Sequence, residues 1–344
     1  MLTPPTFHVN NVVVAYIEGV VMKNKIWISL CLLAVSTMTL CSCEYLAIRA
    51  AADKQASTKR LPSAENADAL FWKILHNGDY AEIEGALNTL TAAYLDNPSD
   101  ATTAAHIGWL HIWRLSERSR LDKVPPTIIN DATLARRFFQ EAVALKPEDA
   151  RFLGFLGSAT LAEGSIHKNE KEIREGYYTL RHSIDAWPEF NLFTAGYVLS
   201  RTPADSPQFK EGLDWQWKNA DLCAGETVDR NNPLFKKYMA LETTTGNKRV
   251  CWNSWIAPHN FEGFFMNMGD MLVKAGNWQT AKQVYANARL STTYSSWTYK
   301  DELESRIKNA EENGEKFRRL DTVVQSGQKM MISSSHACMA CHKN

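Results

Sequence analysis

From residue 66 onward, apolar residues recur at spacings of three and four, the period of helices with one buried face. Period-two alternation, the mark of half-buried strands, is missing beyond residue 65, so the pattern predicts an all-α chain. Turn signals divide it: HNGD at 76–79, DNPSD at 96–100, KPED at 146–149, WPE at 187–189 and AGN at 275–277. Each holds a Gly, Pro, Asn or Asp that favours ending one helix and starting the next.

The helical segments are similar to one another. Phe265-x2-Met268-Gly269-x2-Leu272 is followed by Ala281-x3-Tyr285-x2-Ala288. The second half recurs as Ala135, Phe139 and Ala142 before Pro147, and as Ala86, Leu90 and Ala93 before Pro98. A weaker copy is Gly176, Leu180 and Ser183 before Pro188. Small residues let two antiparallel helices approach, and large ones fill the space between pairs. Over roughly residues 66–295 the chain resembles the tetratricopeptide-repeat family. The resemblance implies helical hairpins stacked as an α-solenoid, with a concave face that holds a partner. The spacing departs from that family's period of about 34, because Pro98, Pro147 and Pro188 are 49 and 41 residues apart. Insertions such as the stretch around Val124-Pro125-Pro126 account for the excess.

The start of the chain differs from the body. Lys23 and Lys25 precede an apolar run from Ile26 to Leu40, the length of a secretory h-region and short for a membrane span. The run ends Leu40-Cys41-Ser42-Cys43, which resembles the lipobox of bacterial lipoproteins with Cys43 as the lipid acceptor. Met22 is the expected true start, and an uncleaved anchor is the alternative. Four segments follow: 1–43 as export segment, 44–65 as flexible linker, 66–295 as helical repeats, and 296–344 as a charged helix with a short tail. The expected location is the bacterial envelope, with a lipid tether on the periplasmic side. Glu44 lacks the Asp that retains lipoproteins at the inner membrane, which favours the outer one.

Composition narrows the function. Lys plus Arg and Asp plus Glu both number 38 in 344 residues. Without a basic excess a nucleic-acid groove is not expected. No G-x-S-x-G, G-x-x-x-x-G-K-[ST] or H-E-x-x-H occurs, and pairs such as Glu311-Glu312 read as solvated helix faces.

The tail carries the chemistry. Cys338-Met339-Ala340-Cys341-His342 has the C-x-x-C-H spacing of covalent haem attachment. Two thiols one helical turn apart suit the two vinyl groups of haem, and the following imidazole suits the proximal iron position. A thioredoxin-like pair needs a βαβ setting, and a zinc site needs more ligands than His336 adds. The motif resembles the c-type cytochromes, which implies one covalent haem c held by Cys338, Cys341 and His342, with His342 on the metal. Common cytochrome domains place a Met ligand far downstream, whereas only Lys343 and Asn344 follow here. The distal ligand stays open among Met266, Met268 and Met271 on one helix, His259 in a loop, Met330 or Met331, and none. The three helix methionines also read as core, and His259 as a surface residue. His76, His106, His111, His167 and His182 read as ordinary helix residues.

Seven cysteines divide by this scheme. Cys31 and Cys41 leave with the export segment, Cys43 takes lipid, and Cys338 with Cys341 takes haem. Cys223 and Cys251 remain, either as a disulfide suited to an oxidising compartment or as two buried thiols. The tryptophans, among them Trp72, Trp109, Trp113, Trp187, Trp215, Trp217 and Trp278, read mainly as packing residues, with some left to line a ligand. The expected function is electron transfer, with the repeats docking a redox partner. The alternatives are an envelope scaffold with the haem structural or absent, and a haem enzyme or gas sensor.

Overall fold

A computed structural model describes residues 48–118, 121–252 and 259–319. The chain divides into two units, residues 1–54 and 55–344. In the first unit the described stretch, 48–54, is exposed. Among the described residues every regular element is helical.

In the second unit, α1 (Pro62–Asn77), α2 (Ile83–Asp96), α3 (Ala101–Ser116) and α4 (Asn130–Leu145) are followed by α5 (Ala150–His167) and α6 (Glu170–Ala186). Then come α7 (Pro188–Leu199), α8 (Pro207–Ala224), α9 (Asn260–Ala275), α10 (Trp278–Ala286), α11 (Lys300–Lys308) and α12 (Ala310–Arg318). Most helices pack against their neighbours in sequence, as short connections require. α1 starts inside the stretch predicted as linker, because Pro62 and Glu65 suit a first helical turn.

The predicted turn signals became caps. Asp100 accepts hydrogen bonds from the amides of Thr102 and Thr103 at 3.0 and 3.1 Å, and Asp149 accepts from the Arg151 amide at 3.1 Å. Gly78 and Gly276 close α1 and α9 with φ of 66° and 94°, a conformation that costs glycine little. The charged segment predicted as one helix after residue 296 is two, broken at Asn309. The break lets α12 fold onto α9, where the Arg318 Nε donates to the Lys274 carbonyl at 3.0 Å.

Ala86, Leu90 and Ala93, then Ala135, Phe139 and Ala142, then Ala281, Tyr285 and Ala288, are all buried. So are Gly176, Leu180 and Ser183. The last three of these sets meet the preceding helix at a glycine. A Cβ added at Gly108 would lie 2.9 Å from the Phe139 ring, and one at Gly269 would lie 2.2 Å from the Tyr285 ring. Between α5 and α6 the contact is backbone on backbone: a Cβ at Gly176 would meet the Leu161 amide nitrogen at 2.4 Å. Residue 157 faces 180 while 164 faces 173, so these two helices are antiparallel.

Apolar side chains gather in three clusters. One joins α1 to α5 around Phe71, Leu90, Trp113 and Phe139. A small one lies between α6 and α7 around Leu180 and Leu192. The third joins α7 to α12 around Tyr197, Phe209, Phe265, Tyr285, Trp297 and Phe317.

Candidate functional site

The cysteines come first, because their pairing limits what the tail can do. Cys223 sits at the end of α8 and Cys251 follows the short 3-10 turn Asn247–Val250. They form a disulfide with Cα atoms 5.7 Å apart. The bond closes a loop across a sequence separation of 28, worth about 3–4 kcal/mol by loop-closure entropy. It holds the connection between α8 and α9 against the body. With these two consumed, Cys338 and Cys341 are the thiols left in the chain after Cys43. Cys43, Cys338, Cys341 and His342 lie outside the described residues, as do Met330, Met331 and His336.

The distal candidates on the body are otherwise engaged. Met266, Met268 and Met271 are buried in the third cluster. His259, read as a loop or surface residue, is buried at the start of α9. Its Nδ1 lies 3.1 Å from Glu262 Oε1, and the same Glu262 oxygen accepts from the Thr293 hydroxyl at 2.8 Å. Burial lifts the Glu262 carboxyl, but its hydrogen bonds, led by the one to His259, outweigh this and hold it below the usual range. The His259 backbone takes φ of 60°, unusual for a non-glycine residue. The contact with Glu262 and the turn account for its placement. Among the described residues no group of three His, Cys, Asp or Glu is placed to hold a metal ion.

Two histidines on α3 read as ordinary helix residues are each paired with a carboxylate. His106 Nδ1 lies 2.7 Å from Asp68 Oδ1, and its ring stacks on Phe71 with centroids 3.9 Å apart. Arg60 bonds the other Asp68 oxygen and reaches Asp100 at 2.8 Å. Burial pulls the Asp68 carboxyl up, yet His106 and Arg60 hold it at about 2. Burial lowers the His106 pKa despite Asp68, so the imidazole is neutral near pH 7. One turn on, His111 Nδ1 lies 2.7 Å from Asp131, which Arg114 also bonds at 3.0 Å. The sequence hid these pairs, since Asp68 and His106 lie on different helices and neither forms a local pattern.

Around α9 the burial of charge is more complete. Arg306 of α11 bonds Asp270, which also accepts from the Tyr285 hydroxyl at 2.6 Å. Burial raises the Asp270 carboxyl to about 7, against the pull of Arg306 and Tyr285. The Lys274 amine, also buried, donates to the carbonyls of Ser200 and Thr202 at 2.8 and 2.7 Å. Burial, with Arg201 nearby, lowers it to about 8.

The aromatic side chains split by depth. Trp113 and Trp297 are enclosed in the core. Trp72, Trp109, Phe155, Trp187, Phe190 and Phe264 are only partly covered. They belong to α1, α3, α5, α7 and α9 or to the residue before α7, the first helix of each predicted hairpin.

No family model matches the chain, and no curated protein or solved structure matches it. Among the described residues no helix is long and apolar enough to cross a membrane.

Proposed function

We propose that this is an exported, lipid-anchored electron-transfer protein with one covalent haem c at Cys338, Cys341 and His342. The observation that carries the reading is the donor set. C-x-x-C-H needs two thiols with no other partner and an adjacent imidazole. The Cys223–Cys251 pairing leaves Cys338 and Cys341 for that role. A disulfide also accords with the oxidising compartment to which the segment before Cys43 would send the chain.

Each thiol would add across one vinyl group, its sulfur bonding one carbon and its hydrogen passing to the other. His342 would supply the proximal nitrogen. When bound, haem c supplies one-electron exchange between ferric and ferrous iron. The chain's part is to fix the group, set the imidazole and present it to a redox partner.

The body is read as a degenerate tetratricopeptide-type solenoid. What supports this is the recurring contact of a small residue on one helix with a large residue on the next, at 108 with 139, 157 with 180, and 269 with 285. Trp72, Trp109, Phe155, Phe190 and Phe264 are partly covered on the first helix of successive hairpins, where such repeats present a binding face, while Phe138, Trp215, Trp217 and Trp278 are partly covered on second helices. The envelope is the proposed location, through acylation at Cys43, with the outer membrane favoured over the inner.

The test is the reduced pyridine-haemochrome spectrum of protein made in a host that matures c-type cytochromes. A c-type α-band that vanishes in Cys338→Ala with Cys341→Ala, with helical circular dichroism unchanged, is expected. Wild-type protein without haem would overturn the electron-transfer reading and leave an envelope scaffold.

A further inference from the structure

Partly covered rings form a continuous row from α3 to α7. Trp109 meets Phe155 of α5 at a centroid distance of 5.1 Å, Phe155 meets Phe190 at 6.3 Å, and Phe190 meets Trp187 at 5.3 Å. Arg249 ends the row, its guanidinium carbon 4.2 Å from the centre of the Trp187 ring. This arginine donates to the Gly246 carbonyl at 2.6 Å and has no carboxylate partner among the described residues. Its place is fixed twice over. The Trp187 indole donates to the Asn247 carbonyl at 3.2 Å, and the disulfide at Cys251 ties down the same turn.

We propose that the Trp109–Phe155–Phe190–Trp187 row, with Arg249 at its end, seats the haem borne by residues 320–344 of this same chain. The proposal rests on the haem reading above. A haem is a broad apolar plane with two carboxylates on one edge. Partly covered rings match the plane by stacking and edge contacts. A guanidinium held beside them matches a propionate through a charge-assisted pair of hydrogen bonds. An apolar peptide from another protein would use the rings but leave Arg249 without a counterpart.

The distance is short enough. α12 lies on α9, where Arg318 bonds the Lys274 carbonyl. α9 in turn touches α7 through Phe264 and Phe193, whose ring centroids are 5.5 Å apart. Residues 320–337 extend up to about 60 Å, whereas neighbouring helix axes are about 10 Å apart.

The test places a photoreactive benzoylphenylalanine at position 155 in the full-length, haem-loaded protein, with mass spectrometry after irradiation. Crosslinks within one chain from position 155 to residues 320–344 are expected. The same probe at Tyr178, exposed on α6 and outside the row, should give none. Arg249→Glu should cut the crosslink yield about tenfold, as repulsion replaces attraction, while Arg249→Lys should keep most of it. Haem-loaded protein whose position 155 crosslinks only to other proteins, or never to 320–344, would overturn the seat. A yield indifferent to Arg249→Glu would also overturn it. A missing haemochrome band is a different result, because it removes the haem reading itself.

Discussion

The two ends of the helical body bury charge in different ways. Near α1 and α3, Asp68 is shared by a neutral His106 and by Arg60, whose side chain stays about one-third exposed at 32%. Near α9 and α11, Arg306 and Asp270 are 4% and 0% exposed, with the Tyr285 hydroxyl on Asp270 and the Glu302 carboxylate on Arg306 at 3.0 Å. At the first end water still shares the solvation of the cation. At the second the protein supplies nearly all of it, so each partner depends on the other. The number of ion pairs therefore says little, and their depth decides what a break costs.

The largest effect should come from separating those partners. Arg306→Met strands the Asp270 carboxyl in the core and should cost about 3–5 kcal/mol. Arg60→Met, at the wetter site, should cost about 1 kcal/mol or less. Chemical denaturation of the two variants compares them directly, and equal losses would erase the distinction. Removing the disulfide with Cys223→Ser and Cys251→Ser should come next, at about 3 kcal/mol. Hydrogen exchange should then rise around α8 and the following loop while α1 to α4 stay protected.

Small residues at helix contacts give a finer comparison. Gly269→Ala pushes into a Tyr285 ring that is buried and tethered through its hydroxyl to Asp270. Gly108→Ala meets the Phe139 ring at 2.9 Å, and that ring has no hydroxyl to hold it in place. Overpacking should cost about 1–3 kcal/mol, with Gly269→Ala at the upper end and Gly108→Ala at the lower. Thermal unfolding would rank them.

A change of pH should act with opposite signs at the two ends. Between pH 7 and 5 an unfolded chain protonates histidine, while buried His106, with its lowered pKa, resists. The α1–α3 end therefore loses stability on acidification. Asp270, raised to about 7, takes up a proton in the folded state that the unfolded chain takes only near pH 4. The α9–α11 end gains. Hydrogen exchange corrected for intrinsic rates should show protection falling in α1 and α3 and rising in α9 and α11. A common direction at both ends would refute the assignment.

Much of the frame was legible because it is local. Asp100, Asp149, Gly78 and Gly276 act within a few residues of themselves, and the small–large–small triplets repeat at helical spacing. The break at Asn309 was not legible, because it serves a contact with Lys274, far away in sequence. Nor was the burial of His259, because Thr293, which bonds its partner Glu262, lies beyond α10 in the sequence. The aromatic row was visible as a list of tryptophans but not as a row, since phenylalanines on separate helices complete it. The C-x-x-C-H segment reads most clearly in the sequence and lies outside the described residues.

Lys274 has a consequence for the order in which the chain can be completed. Its amine joins the carbonyls that follow α7, and its own carbonyl receives Arg318. Synthesis proceeds from the N-terminus, so Ser200 and Thr202 emerge long before the residue that satisfies them. α7 and α8 must wait, with that turn still hydrated, until α9 arrives. α9 in turn waits for α12. A nascent chain halted before residue 274 should thus hold a settled α1–α5 assembly and an unfinished joint beyond it.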